Sequence, residues 1–148
     1  MSTPQAGTAT KRYLLVEDDP NHAELVRLAF SFCKSDWELD HVDDGAKAVA
    51  YLRGEAPYEN AQRPDIVLLD LKLPKLSGHQ VLEAIKGDPA TASIPIIMLT
   101  TSSNDEDRSK ALSLHANSYV VKPLSLDEFN QMAKNLDDFW TRWHKLGG

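Results

Sequence analysis

Several short apolar runs in this chain end on groups able to do chemistry. Asp70 closes the run Asp65-Ile66-Val67-Leu68-Leu69-Asp70, Glu17 and Asp18 follow Tyr13-Leu14-Leu15-Val16, Thr100 ends a run that begins at Ile94, and Lys122 follows Ser118-Tyr119-Val120-Val121. A strand buried on both faces reads as continuous hydrophobic sequence, and open α/β sheets bind ligands beyond the carboxyl ends of their strands. A carboxylate at such an end is therefore poorly explained as packing. If the first and third strands are neighbours, Asp18 and Asp70 share one crevice. Two carboxylates about 4 Å apart repel by roughly 4 kcal/mol at an effective dielectric of 20, so the site must raise a carboxylate pKa or recruit a cation. Oxygen ligands with no His or Cys among them suit Mg²⁺ or Mn²⁺. A carboxylate nucleophile can form an aspartyl-phosphate, and a cation, a hydroxyl and an ammonium are what the spreading charge of a transferred phosphoryl group requires.

The elements that must position these groups alternate between short apolar runs and helix-period segments, five of each, which is the pattern of βα units and a parallel sheet. Tyr13–Val16 is the first strand. Asp19 and Pro20 supply an N-cap and a first-turn proline for a helix carrying Leu25, Leu28, Ala29 and Phe32 on one face and ending near Lys34. Trp37–Val42 alternates as an edge strand does, and a helix follows from about Gly45 to Arg53. The eleven residues Gly54–Pro64 form a long loop that either holds a partner or is slack. Ser77 caps a third helix, which Gly87 and Pro89 terminate. Ile94–Thr100 is the fourth strand, with Pro95 at its start, and capping boxes at Ser103–Glu106 and Ser125–Glu128 open the fourth and fifth helices. The expected sheet is doubly wound, five-stranded and flavodoxin-like, with strand order 2-1-3-4-5.

The fifth helix carries Phe129, Met132, Ala133, Leu136, Trp140 and Trp143 at helical spacing and is expected to run to about residue 146. Twenty helical residues span about 30 Å, longer than a strand of about 17–20 Å. Its last turns should overhang the sheet. Phe139, Trp140 and Trp143 then either fold back on the domain or form a homodimer interface, where aromatic residues are enriched.

With 148 residues, 42% hydrophobic and 26% charged, and a net charge of -6, the chain fits one domain over residues 12–148 preceded by a flexible tail over 1–11. The acidic balance argues against nucleic acid as a partner. No run approaches a membrane span and the tail lacks a signal-peptide core, so a cytoplasmic protein is expected. Cys33, the single cysteine, excludes an internal disulfide and reads as a small hydrophobe.

Singly, each polar residue has an ordinary structural explanation; their joint placement on one sheet edge is what carries weight. Leu14-Leu15-Val16-Glu17-Asp18-Asp19, Asp70-Leu71-Lys72-Leu73-Pro74-Lys75-Leu76-Ser77-Gly78, Leu99-Thr100-Thr101 and Asn117-Ser118-Tyr119-Val120-Val121-Lys122-Pro123 resemble the receiver domain of two-component response regulators, over roughly residues 12–137. The spacings agree, with Thr100 30 residues and Lys122 52 residues after Asp70. The resemblance implies that Asp70 accepts a phosphoryl group from a phosphohistidine of a sensor histidine kinase. It implies that Asp18, Asp70 and the backbone carbonyl of Lys72 bind Mg²⁺ or Mn²⁺, with Glu17 acting through water. Lys122 would pair with the phosphoryl group, Thr100 would donate a hydrogen bond to it, and Thr101 would belong with them to the phosphoryl-binding and switch residues.

By the same resemblance Tyr119 is an aromatic switch that alters the face of the fourth helix, fifth strand and fifth helix, and Lys122–Pro123 is a cis peptide. Lys72 and Ser102 stand where the family tunes acyl-phosphate lifetime. Tyr58-Glu59-Asn60, Arg63-Pro64-Asp65, Leu114-His115-Ala116-Asn117 and Phe139-Trp140 are similar to small response regulators that partner bacterial phytochromes, and His115 takes a place where glycine is usual and a left-handed backbone convenient. Two other functions stay open. A Mg²⁺-dependent phosphatase with an aspartyl nucleophile usually has a second Asp two residues on, where this chain has Lys72. A receiver-shaped scaffold would work without phosphorylation. A nucleotide-binding domain is disfavoured, since no glycine-rich loop follows the first strand.

Overall fold

The computed structural model describes residues 10–33 and 36–145, with side chains through residue 138. Five strands, β1 (Lys11–Val16), β2 (Trp37–Val42), β3 (Ile66–Leu69), β4 (Ile96–Thr100) and β5 (Ser118–Val121), alternate with α1 (Pro20–Phe30), α2 (Gly45–Arg53), α3 (Gly78–Lys86), α4 (Asp105–Ser113) and α5 (Leu126–Lys145). All strand pairs are parallel, in the order β2-β1-β3-β4-β5. Because side chains alternate across a strand, the four residues of β3 divide between two cores. Val67 and Leu69 pack with Leu14, Val16, Met98, Val81, Leu82 and Ile85. Ile66 and Leu68 pack with Tyr13, Leu15, Leu99, Val26, Phe30, Phe129 and Met132 on the other face. Burying each such side chain stabilises the fold by about 1.5–3 kcal/mol before chain entropy is counted, and both faces must be covered for β3 to be apolar throughout. That burial anchors the strand whose end carries Asp70.

Several local expectations shift. Lys11 lies in β1, buried and ion-paired with Asp137 of α5, so the strand begins inside the expected tail. Residues 1–9 lie outside the described residues. Helix α1 stops at Phe30, with Ser31 as C-cap, and Lys34 is outside the described residues. Its buried stripe is Ala23, Val26, Ala29 and Phe30, leaving Leu28 41% and Phe32 56% exposed. Both stripes satisfy helical spacing in this apolar helix. Phe30 decides between them by packing, in tilted ring contacts, against Tyr13 and Trp37, with ring centroids 4.5 and 5.9 Å away.

Strand β4 begins at Ile96 rather than Ile94. Helix α4 is capped by Asn104, whose side chain accepts from the amides of Glu106 and Asp107 at 2.7 and 3.3 Å, in place of the expected Ser103 box. At α5 the Ser125 hydroxyl accepts from the Glu128 amide (3.2 Å), but the Glu128 carboxylate takes its bond from that hydroxyl and not from the Ser125 amide. Ser77 makes the full capping box with Gln80 at α3. The long loop packs on the domain through Tyr58, which meets Tyr51 at 5.4 Å. No described helix is long and apolar enough to cross a membrane.

Candidate functional site

The parallel register pairs Val16 with Leu69 and Thr100 with Val121. One residue further along each chain, Glu17, Asp70 and Lys122 therefore emerge at the same edge. Backbone bonds hold those exits: the amide of Asp70 donates to Val16 O (3.1 Å), that of Glu17 to Val42 O (3.1 Å), and that of Lys122 to Thr100 O (2.7 Å). One oxygen each of Glu17, Asp18 and Asp70 lie within 4.8 Å of one another. Glu17 and Asp70 are 2% and 8% exposed, whereas Asp18 faces solvent. Burial pushes the Glu17 carboxyl above its ordinary pKa and the nearby charge of Asp70 adds to the rise, against the opposing hydrogen bond from Lys122.

Lys122, 6% exposed, supplies the compensating charge. Its ammonium donates to Glu17 Oε1 and to Asp70 Oδ2 (3.0 Å), and lies 3.0 Å from His22 Nδ1. A buried cation with three donors and three acceptors is fully satisfied. The other Asp70 oxygen accepts from the Leu71 amide at 2.7 Å, which leaves the carboxylate oriented by two bonds.

The metal fits this donor set. Three clustered carboxylates present the hard oxygen ligands that Mg²⁺ and Mn²⁺ take, and they form the metal-capable acidic group found among the described residues. Lys72, two residues past Asp70, is exposed. A crowded carboxylate set without its cation is self-repulsive. Asp18→Asn is accordingly expected to raise the thermal midpoint in metal-free buffer by about 2–4 °C, the effect of about 1 kcal/mol in a chain of this size, and to reduce the further rise on adding Mg²⁺. Calorimetry with and without Mg²⁺ checks both; a full Mg²⁺-dependent rise in the variant would remove Asp18 from the metal site.

Thr100 is buried at the end of β4, and its hydroxyl accepts from the Ser102 amide (3.2 Å). It shares the edge with Asp70 through strand order. Thr101 is exposed. Tyr119 is buried, donating through its hydroxyl to Ser102 O (2.8 Å), with the Arg108 guanidinium 6.0 Å from its ring centroid. The Ser102 hydroxyl donates in turn to Asp107 Oδ2 (2.7 Å). Ser102 thus ties the Thr100 segment to Tyr119 and to the first turn of α4.

His115 has the left-handed backbone expected of it, φ 74°, as does Lys75, φ 73°. The cis peptide expected at Lys122–Pro123 is not there; the described cis bond is Ala56–Pro57. The trans form is the favoured state of an X–Pro bond, and with it Lys122 already reaches Glu17 and Asp70. The side chains of Phe139, Trp140 and Trp143 lie outside the described residues. Sequence reasoning missed His22, in the first turn of α1, and Asp107. The available signal for His22 was its place four residues after Asp18, on the helix that must leave the site directly.

Residues 13–134 match the model of the response regulator receiver domain. The chain is 39% identical over 137 residues to the probable methanogenesis regulatory protein FilR2 of Methanothrix harundinacea, covering 91% of this chain and 86% of that one. It is 39% identical over 130 residues to the response regulator Rcp1 of Synechocystis, covering 88% of each, and the Mn²⁺-bound form of Rcp1 superposes with a TM-score of 0.82 over 88% of this chain and 94% of that one. The phosphorylated cyanobacterial phytochrome response regulator RcpA superposes with a TM-score of 0.84, at 42% identity over 89% of this chain and 94% of that one. Receiver domains are phosphoacceptors rather than enzymes, which sets aside the phosphatase reading. The sheet order, the acidic edge and the match over 13–134 agree, and the chain belongs to the response regulator receiver domain family.

Proposed function

We propose that this protein is a cytoplasmic phosphoacceptor switch in which Asp70 takes a phosphoryl group from the phosphohistidine of a sensor histidine kinase of the phytochrome type. The observation that carries this reading is Asp70 itself, held by the Leu71 amide and by Lys122 at 3.0 Å beside the oxygens of Glu17 and Asp18. A carboxylate oxygen of Asp70 attacks phosphorus, the bond from phosphorus to the kinase imidazole nitrogen breaks, and its electron pair stays on that nitrogen. The product is an acyl phosphate. Glu17, Asp18, Asp70 and the carbonyl of Lys72 would hold Mg²⁺ or Mn²⁺, which when bound offsets the charge gathering on the phosphoryl oxygens. Lys122 stays beside Asp70 to pair with that group, and Thr100, released from the Ser102 amide, donates to it. The likeness to Rcp1 and RcpA supports the metal and the phytochrome partner.

Incubation with a phosphorylated phytochrome-type kinase and Mg²⁺, followed by borohydride reduction of the acyl phosphate, is expected to convert Asp70 and no other carboxylate. Conversion elsewhere would overturn the assignment.

Output on this reading passes through the face of α4, β5 and α5. Val121, Leu124 and Leu126 are 44%, 97% and 39% exposed there. Val121 and Leu124 line a cleft of about 760 Å³ between β5 and α5, together with Val120, Met132 and Leu136. We assign this face to a homodimer. Sedimentation at tens of micromolar should give a dimer that Leu124→Asp disrupts, and a monomer with and without a phosphoryl mimic would refute it.

A further inference from the structure

We infer that His22 is a positioning residue for Lys122: its imidazole Nδ1 accepts the third hydrogen bond of the ammonium and holds that cation over Asp70. The inference rests on the proposed phosphoacceptor role of Asp70, and the experiment below separates the two. An ammonium has three donors and no acceptor, so an Nδ1 lying 3.0 Å from Lys122 Nζ must offer a lone pair. The proton of the neutral ring then sits on Nε2. The other two partners of the ammonium are Glu17 and Asp70. Both belong to the acidic cluster that takes the cation, and Asp70 is also the atom donor to phosphorus. His22 belongs to neither role.

Lysine is a compact charge on a flexible four-carbon stem, so its ammonium is held in place by its partners. When Glu17 and Asp70 are engaged by metal and phosphoryl group, His22 is the one of the three present partners left to keep the ammonium aimed at the phosphoryl oxygens. Its backbone explains how it can do so. Asp19 caps α1, its side chain accepting from the Asn21 amide at 2.8 Å, and this cap sets the first turn beside the site. Nδ1 of His22 also stands 3.7 Å from both Glu17 Oε1 and Asp19 Oδ2, and the side chain is 36% exposed at the mouth of the pocket.

Two substitutions separate the acceptor from the bulk of the ring. Asn places its side-chain oxygen as many bonds from the backbone as Nδ1, whereas Leu fills space and offers no acceptor. With acetyl phosphate and Mg²⁺ as the probe, a carboxylate oxygen of Asp70 attacks phosphorus and acetate leaves with the bonding pair. Intact mass follows the rate. His22→Leu is expected to slow phosphorylation about five-fold, the worth of one hydrogen bond, and His22→Asn to restore at least half of the loss. In a Lys122→Met background the difference between His22 and His22→Leu should vanish.

A loss of equal size in both backgrounds, or no loss in the first, overturns the inference. Long-range ¹⁵N spectra of the unphosphorylated full chain give a readout that needs no phosphoryl transfer. His22 should show an unprotonated Nδ1 that shifts in Lys122→Met; a protonated Nδ1, or no shift, overturns the inference even if Asp70 is labelled normally. Absence of labelling in the parent protein, with the expected ¹⁵N signature, would instead overturn the phosphoacceptor reading alone.

Discussion

Asp70→Asn is expected to abolish phosphoryl incorporation from kinase or acetyl phosphate, to below about a thousandth of the parent rate, while the protein stays folded. The amide is isosteric but lacks the anionic oxygen that attacks phosphorus, and loss of a nucleophile is among the largest single losses a reacting site can suffer. Folding should survive because the amide oxygen still accepts from the Leu71 amide, as Oδ1 does now at 2.7 Å. The substitution also removes one charge from the set that raises the Glu17 pKa. Lys122 keeps Glu17 and His22 as partners. Intact mass after incubation with donor and Mg²⁺, alongside a thermal melt of the same sample, checks both halves. Incorporation at the parent rate in the variant would end the assignment of Asp70.

Gly78→Ala should cost stability and phosphorylation together. A Cβ at Gly78 would lie 2.2 Å from the backbone oxygen of Asp70 and 2.7 Å from the Cα of Leu71. No side-chain rotation can relieve a clash with backbone, so α3 and the Asp70–Leu71 segment must separate. That breaks the bond from the Gly78 amide to Leu71 O, now 2.7 Å. Overpacking of a tight contact costs about 1–3 kcal/mol and occasionally more, and the displaced backbone is the one that aims Asp70. The expected result is a loss of about 3 kcal/mol in chemical denaturation and at least a ten-fold slower phosphorylation.

Gly54→Ala is the contrast. Gly54 has φ +68° but open space within 4 Å, so its replacement should cost about 1 kcal/mol and leave phosphorylation alone. Equal effects at the two glycines would remove the argument from close approach.

The residues that do the proposed chemistry were legible because each follows an apolar run directly. Strand burial forces the run, parallel pairing aligns the run ends, and one further residue emerges at the common edge, which is how Glu17, Asp70 and Lys122 come together. Helix caps were legible where one local bond decides them, as at Asp19 and Ser77. They were misread at Asn104, where two adjacent residues, Ser103 and Asn104, both have capping side chains and the chain direction entering α4 chose between them.

Sequence alone therefore showed the parallel sheet and the acidic groups at its strand ends, because these follow from two periodicities and from where they stop. The strand order and the reading of Asp70 as acceptor came with the resemblance of the chain's motifs to the receiver domain. Tertiary structure alone decided which stripe of α1 is buried, the trans bond at Lys122–Pro123, the inward lodging of Tyr119 against Ser102, and the seat of Lys122 among Glu17, Asp70 and His22. Those outcomes join groups as far as 105 residues apart, and they turn on the direction in which a first turn leaves a strand and on the rotamer each side chain can reach. Neither is written in hydrophobic spacing.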